Sequence, residues 1–305
     1  MIAVYPHEAL ETAAWIDLLD PTPEEVQRVH DATGLRVPTR DEMSEIESSS
    51  RLGFDLGAYY VTTPLVTPSD GHLELAPLGF VLSARVLLTV RFRGIRVLDD
   101  ARLNCAKLPE ATAQAAFVRI LETVVDHAAD ALEHAGSECD ALSRRVFHVG
   151  GPKGSQELRA AIRQIGSIAN HAAQIGDELL GVERIAAFVT ESKLQGAPVV
   201  DGRRMKAVRT DIASLTDYES RLSANVQFVL NATLGFISIE QNEIVKTLTI
   251  ASVVGIPPVI VAGIYGMNFR FMPELSWHLG YPVALGVIVL SAVIPWLWFK
   301  KAGRT

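Results

Sequence analysis

Residues 247–269 read TLTIASVVGIPPVIVAGIYGMNF, and no charged side chain interrupts them. Residues 279–299, LGYPVALGVIVLSAVIPWLWF, form a second uncharged run that ends at Lys300-Lys301. At a helical rise of 1.5 Å per residue the runs reach roughly 34 and 31 Å, against a hydrocarbon core of about 30 Å. Each is long enough to cross a bilayer, and a short loop joins them. The competing reading is a buried helix of a soluble core. Against it, the runs stand back to back near the C-terminus, and three of the four tryptophans (Trp277, Trp296, Trp298) lie at or near their ends, where aromatic belts form. Tyr265 and Tyr281 add to the outer belt. Lys246 precedes the first run, and Lys300, Lys301 and Arg304 follow the second, whereas the connecting loop has only Arg270, offset by Glu274. The positive-inside rule then places both termini on the cytoplasmic side of the plasma (cell inner) membrane, as a multi-pass protein.

Residues 1–240 contain no other membrane-length run, and Met1 to Glu8 lack the basic start and apolar core of a secretion signal. This part is long enough for one large domain or two packed subdomains and is expected to fold in the cytosol. Its two cysteines, Cys105 and Cys139, have no CxxC spacing and read as reduced structural thiols. The net charge of −7 gives nucleic-acid binding no electrostatic support. Divalent cations are natural partners for such an acidic body, although ordinary soluble domains are acidic too.

An α+β arrangement is expected over residues 1–110. Trp15 to Leu19 reads as a strand, and Thr22-Pro23-Glu24-Glu25 is a capping box with proline at the first helical position, opening a helix through Val29. Thr39-Arg40-Asp41-Glu42 repeats the signal. Ala58 to Thr63, Gly79 to Ser83 and Val86 to Phe92 read as strands of a mixed or antiparallel sheet, with turns at Pro68 to Gly71 and Ser83 to Arg85. Residues 111–196 read as a helical hairpin. Its first helix runs to about Val149, and Gly150 to Gly154 forms the turn. A second helix carries Leu158, Ile162, Ile165, Ile168, Ala172, Ile175, Leu179 and Ile185 and ends near Gln195-Gly196. That glycine-rich turn lacks P-loop spacing. Residues 203–266 read as one long helix that becomes the first span, 267–280 as an extracytoplasmic loop, 281–299 as the second span and 300–305 as a basic cytoplasmic tail.

On the long helix Asn231, Ser238, Asn242, Val245, Thr249, Ser252, Ile256, Val259 and Gly263 are separated by seven residues and then by alternating fours and threes. This 3.5-residue period makes a seam of small and polar residues on one side, as in parallel helices packed round a shared axis. Amides and hydroxyls inside a bilayer need partners or water, so the seam points to a cyclic homo-oligomer that encloses the axis. Tight packing of small residues between two helices is the alternative. Pro257-Pro258 removes two adjacent backbone donors, and a kink or local unwinding is expected there.

Tyr265-Gly266-Met267-Asn268-Phe269, followed by Met272-Pro273-Glu274-Leu275, Trp277 and Gly280-Tyr281-Pro282, resembles the signature of the CorA family of magnesium and cobalt transport proteins. The likeness runs from about Asn242 to Lys301, and upstream it is confined to architecture and short pieces such as Trp15 to Leu18. It implies a funnel-shaped homopentamer with a cytoplasmic domain, the first span lining a pore, and Mg2+ as cargo and regulatory ion, with no resident cofactor. Magnesium holds its water tightly, and a ring of Asn268 carboxamides would accept hydrogen bonds from the waters of a hydrated ion, with Gly266 and Met267 shaping the filter. Glu274 stands at the outer mouth, or is simply a solvated loop acid. By the same resemblance Asn242 is a second polar ring, and Leu248 with Ile256 forms apolar constrictions. The chain departs from familiar members at Ile256, where methionine is common, at Val259, where threonine is, and at Asn231, where an acidic ring is expected. A zinc-transporting branch of the family usually carries another residue in the middle of the triplet, and Met267 fits the magnesium branch.

Family members are thought to be gated by divalent ions held by cytoplasmic carboxylates, and Asp201, Asp211, Asp217 and Glu219 are the candidates here. His127, Asp130, His134 and Glu138 also share one helix face within about 80° and have metal-ligand chemistry; the alternative is a solvated surface. No HExxH, GxSxG, P-loop or dinucleotide fingerprint supports an enzyme. A membrane-tethered sensor or scaffold that no longer conducts is the remaining rival.

Overall fold

A computed structural model describes the chain except residues 6–8, 46–50, 70–71, 106–111, 148–154, 193, 268–269, 271 and 302–305. It divides into two compact units: Met1–Lys153 with Arg159–Leu230, and Gly154–Leu158 with Asn231–Thr305.

The first unit is built on a six-stranded mixed sheet of β1 (Ile2–Tyr5), β2 (Trp15–Leu19), β3 (Leu52–Asp55), β4 (Ala58–Ser69), β5 (His72–Leu82) and β6 (Leu87–Arg91). The order is β1-β2-β6-β5-β4-β3, with β2 and β6 parallel and the other pairs antiparallel. Helices α1 (Pro23–Thr33) and α2 (Arg40–Ser44) cover one face, where Ile16, Leu18, Val29, Met43, Val81, Leu88 and Val90 form a buried cluster. Both open on the capping boxes read from the sequence: Glu25 accepts from the Thr22 amide at 3.0 Å and Glu42 from the Thr39 amide at 2.9 Å. Across the sheet lie α3 (Arg96–Cys105), α4 (Ala113–Phe147) and α5 (Ser155–Glu191). Phe80 meets Phe117 of α4 edge to face, and Tyr59 meets Phe188 of α5 the same way. A Cβ at Gly181 of α5 would collide with the Thr63 hydroxyl, so glycine sets how closely this helix approaches β4.

Three elements were not expected: β1, β3 and α3. The β4–β5 hairpin is also much longer than Ala58 to Thr63 and Gly79 to Ser83 suggested, because prolines at 64, 68 and 77 disguise it. Pro64 faces Pro77, and Pro68 faces Leu73 four pairs on. Neither Pro64 nor Pro77 has a donor, so theirs is a non-hydrogen-bonded pair, and so is every second pair after it. The even residues of β4 therefore point their N–H groups away from β5. Tyr60 turns towards β3 in this way, and Thr62 donates to the Arg51 carbonyl at 2.9 Å. Beyond them that edge reads Pro64, Val66, Pro68, which leaves the Val66 amide as the one donor needing a partner.

At the parallel pair a buried polar chain replaces apolar packing. The Trp15 indole donates to Thr89 Oγ1 at 3.0 Å, Thr89 donates to Asp17 at 2.7 Å, and the Arg91 guanidinium donates to Asp17 at 2.7 Å and to the Ile95 carbonyl at 3.5 Å. All four side chains are buried.

The helix α6 (Gly202–Tyr265) opens in the first unit, where Asp201 accepts from the Arg203 and Arg204 amides at 2.9 and 3.2 Å. Met205, Val208, Ile212, Leu222, Val226 and Val229 are its buried residues there. In the second unit α6 continues to Tyr265, a four-residue 3-10 turn spans Pro273–Ser276, and α7 covers Gly280–Lys301. The local unwinding expected at Pro257-Pro258 is absent, since α6 is helical through both. Proline's fixed φ suits the helix, and only the carbonyls of Val253 and Val254 lose their donors. The glycine turn expected at 150–154 lies outside the described residues.

Replacing Asp17 with Asn takes away the buried counter-charge of the Arg91 guanidinium and leaves only the exposed Asp99 at 3.7 Å. A loss of about 3–5 kcal/mol is expected, read by denaturant unfolding of the detergent-solubilised chain against a surface Asp→Asn control.

Candidate functional site

Half-buried residues on the membrane-length part of α6 recur at helical steps: Ile250, Val254, Pro257, Val261 and Tyr265. On α7 the matching stripe is Gly280, Ala284, Ile288, Ser291, Pro295 and Phe299. A cleft of about 440 Å³ lies between their outer ends, lined by Ala262, Tyr265 and Gly266 from one side and Gly280, Tyr281 and Ala284 from the other. The two helices therefore pack along these stripes.

The 3.5-residue seam lies elsewhere. At about 100° per residue its centre is roughly 160° round the helix from the stripe that meets α7. Asn231, Ser238, Asn242, Val245, Leu248, Thr249, Ile256, Val259 and Gly263 are exposed and Ser252 is half-buried. Leu248 and Val259 are 67% and 70% exposed, which for apolar side chains marks a face made for lipid or for another copy of the helix. The packing between α6 and α7 thus leaves the seam uncovered. Its hydroxyls are satisfied locally, with Thr249 donating to the Val245 carbonyl at 2.7 Å and Ser252 to the Leu248 carbonyl at 2.8 Å.

Below the loop the Gly266 amide closes the helix on the Ala262 carbonyl at 2.9 Å, and Met267 donates to Ile264 at 3.2 Å. A Cβ on Gly266 would stand 3.2 Å from the Ala262 oxygen, a tight approach, and 3.5 Å from that of Gly263, so a side chain here would crowd the helix end. Asn268 lies outside the described residues. So does the side chain of Glu274, whose backbone belongs to the 3-10 turn.

The carboxylates considered for regulation are dispersed. Asp201 caps α6. Asp217 and Glu219 line a groove with Asp177 and Glu183, where Glu219 accepts from Ser223 at 2.7 Å and Arg209 bridges Glu183 and Glu191 at 2.9 Å each. These bonds raise the Arg209 proton affinity, that to Glu183 most. Asp211 stands near Asp126, whose proton affinity is raised by burial first and then by Glu122, Asp130 and Asp211. The metal set His127, Asp130, His134 and Glu138 is not brought together: among the described residues no three His, Cys, Asp or Glu side chains converge on an ion position. The helix itself carries His127 and Glu138 about 16 Å apart, and His127 is taken by Asp100 of α3 at 3.0 Å.

Sequence reasoning passed over Glu178. It falls three residues after Ile175 on the buried stripe of α5, a placement the helical period could have revealed. It is 4% exposed and accepts from the Val66 amide at 2.7 Å, and burial pushes its carboxyl up to about 8.

A soluble α+β unit, long helices and two apolar C-terminal helices define a membrane protein of two-span architecture. The family model described as CorA-like Mg2+ transporter protein matches residues 11–301. Magnesium transport protein CorA of Yersinia pseudotuberculosis is 31% identical over 296 residues, covering 96% of this chain and 92% of that protein. Its counterpart in Escherichia coli K12 is 31% identical over 304 residues, covering 98% and 94%. The chain belongs to the CorA-like Mg2+ transporter family. Two solved structures share the fold: the complete CorA magnesium transporter of Methanocaldococcus jannaschii, with TM-score 0.76, 18% identity and coverage of 95% and 91%, and the full-length CmaX protein, with TM-score 0.68, 19% identity and coverage of 94% and 87%.

The two faces of α6 separate in a cysteine-labelling experiment. Burial pushes the Cys105 thiol up to about 11 and raises that of Cys139, so the native thiols are nearly silent at neutral pH. In lipid vesicles, Val259→Cys and Val245→Cys on the seam are expected to react with a water-borne thiol reagent at least tenfold faster than Val254→Cys and Val261→Cys on the α7 face, measured by mass shift over time.

Proposed function

We propose that this chain forms a homopentameric channel that carries hydrated Mg2+, and with it Co2+, into the cytoplasm. The observation that supports this reading best is the seam on α6, uncovered by α7 and facing the opposite way. Family membership and near full-length relatives that are magnesium transport proteins lend it chemical direction. Five copies of α6 would turn Asn242, Thr249 and Ser252 towards one axis, with Leu248, Ile256 and Val259 as its apolar stretches. In this assembly α7 stands outside, against lipid.

At the outer mouth, Gly266, Met267 and Asn268 would form the filter. Five carboxamide oxygens accept from the waters of the ion, so it passes without the cost of stripping its shell, and an uncharged ring lets it leave. Glu274 would gather cations at the entrance. Lys246 before the first span and Lys300 and Lys301 after the second support cytoplasmic termini. Membrane potential then supplies the drive: two charges gain about 4.6 kcal/mol per 100 mV, and no nucleotide is consumed. Gating falls to the soluble unit. Among the described residues no three ligands converge, and a regulatory ion there would take its carboxylates, from among Asp201, Asp211, Asp217 and Glu219, from neighbouring subunits.

Flux into proteoliposomes loaded with a Mg2+-sensitive dye tests the reading. Potential-driven entry is expected, reduced at least tenfold in Asn268→Ala, with Co2+ competing. Equal flux in that variant would refute the filter. Flux of Zn2+ alone, driven by a proton gradient, would move the chain to the zinc branch, and no flux of any dication would leave a membrane-tethered scaffold.

A further inference from the structure

Glu178 occupies an unusual place in the first unit. Along the outer edge of β4, Tyr60 and Thr62 donate to β3 and Arg51, Pro64 and Pro68 have no donor, and the Val66 amide goes to the Glu178 carboxyl at 2.7 Å. One turn earlier on α5, Gln174 donates to the Leu73 carbonyl of β5 at 3.0 Å. The helix thus grips both strands of the hairpin with one carboxyl and one carboxamide. No cation among the described residues is paired with Glu178. Gln174 Oε1 is buried with no donor, and turning that amide round would set oxygen against the Leu73 carbonyl. A cavity of about 500 Å³ beside Glu178 is walled by Val66, Leu73 and Ile175 and carries Asp99 and Asp100.

We propose that Glu178 is a proton-binding site, a neutral carboxylic acid that latches α5 to the edge of the β4–β5 hairpin and lets go when it ionises. The Val66 N–H by itself favours the ionised form, but burial of a carboxylate with no paired counter-charge outweighs it, and the neutral acid still offers Val66 an acceptor. Several charged groups face the same cavity. From α3 come Arg96, Asp99, which lies 3.7 Å from Arg91, and Asp100; from α4 comes His127, paired with Asp100. On β5 Glu74 is held by Arg93. None of these pairs neutralises Glu178. The same helix lies against α6 at Gly176, where a Cβ would stand 3.6 Å from the Glu219 side chain.

The sign follows from linkage. The folded chain holds this proton more tightly than the unfolded chain, so the stabilisation is complete below the ordinary carboxyl value of 4.5 and is lost as pH rises to about 8. Across that window the folded-to-unfolded ratio falls tenfold per pH unit on account of this group, and above it the dependence ends.

Infrared spectroscopy of the full chain in detergent, in an Asp126→Asn background that removes the other buried-raised carboxyl, reads the proton directly. A protonated-carboxyl band is expected at pH 7, lost through about pH 8, absent from Glu178→Gln and unchanged in His127→Gln. Hydrogen exchange at Val66, corrected for its intrinsic pH dependence, should lose at least tenfold protection over the same interval. Should Glu178→Gln fail to fold, the Glu178-bearing chain alone decides: no band at pH 7, or Val66 protection flat to pH 9, overturns the assignment. Loss of the transition in His127→Gln overturns it too. The test involves no ion flux and stands apart from the transport reading.

Discussion

Polar groups taken out of water must be answered by polar groups, and the soluble unit is organised round that constraint. Its sheet changes direction at the parallel contact of β2 with β6, where Asp17 gathers Arg91 and Thr89, and Thr89 in turn receives the Trp15 indole. Asp17 and Arg91 are far apart in sequence, so the chain joins two distant strands through a charge pair that is disfavoured in any other arrangement. The same constraint explains the outer edge of β4. Two prolines delete donors where no strand follows, and Glu178 takes the remaining one.

In the second unit the constraint acts in the absence of water. Apart from the carbonyls that the internal prolines leave free, the backbone of the two helices satisfies itself, and Thr249 and Ser252 return their protons to their own helix. What is left over is a face rather than a bond: an apolar and weakly polar seam on the side of α6 that α7 does not cover. A single chain gives that face nothing to meet.

Much of this was legible in the sequence. Spans declare themselves through hydropathy, a local and additive property, and the capping boxes at Thr22 and Thr39 do so through two side chains three residues apart. The hairpin was half concealed, because proline reads as a strand breaker unless the opposing proline is known, and only the register of Pro64 on Pro77 shows the two to be compatible with a ladder. Strand β3 and helix α3 owe their places to partners distant in sequence, which no local pattern encodes. The grouping of His127 with Asp130, His134 and Glu138 failed for a related reason: helical periodicity gives angle but not distance, and Asp100 of α3 had claimed the imidazole. The period of the seam was readable, but its direction relative to α7 needed both helices in place.

The inward bonds of Thr249 and Ser252 have a consequence for sign. A hydroxyl whose hydrogen is engaged by a carbonyl one turn below presents only lone pairs to whatever passes. Water bound to a cation turns its hydrogens outward and finds acceptors there; an anion, whose shell points oxygen outward, finds nothing that donates. Were the seam to line the proposed pore, a neutral wall of this kind would discriminate between positive and negative ions with no fixed charge in the bilayer.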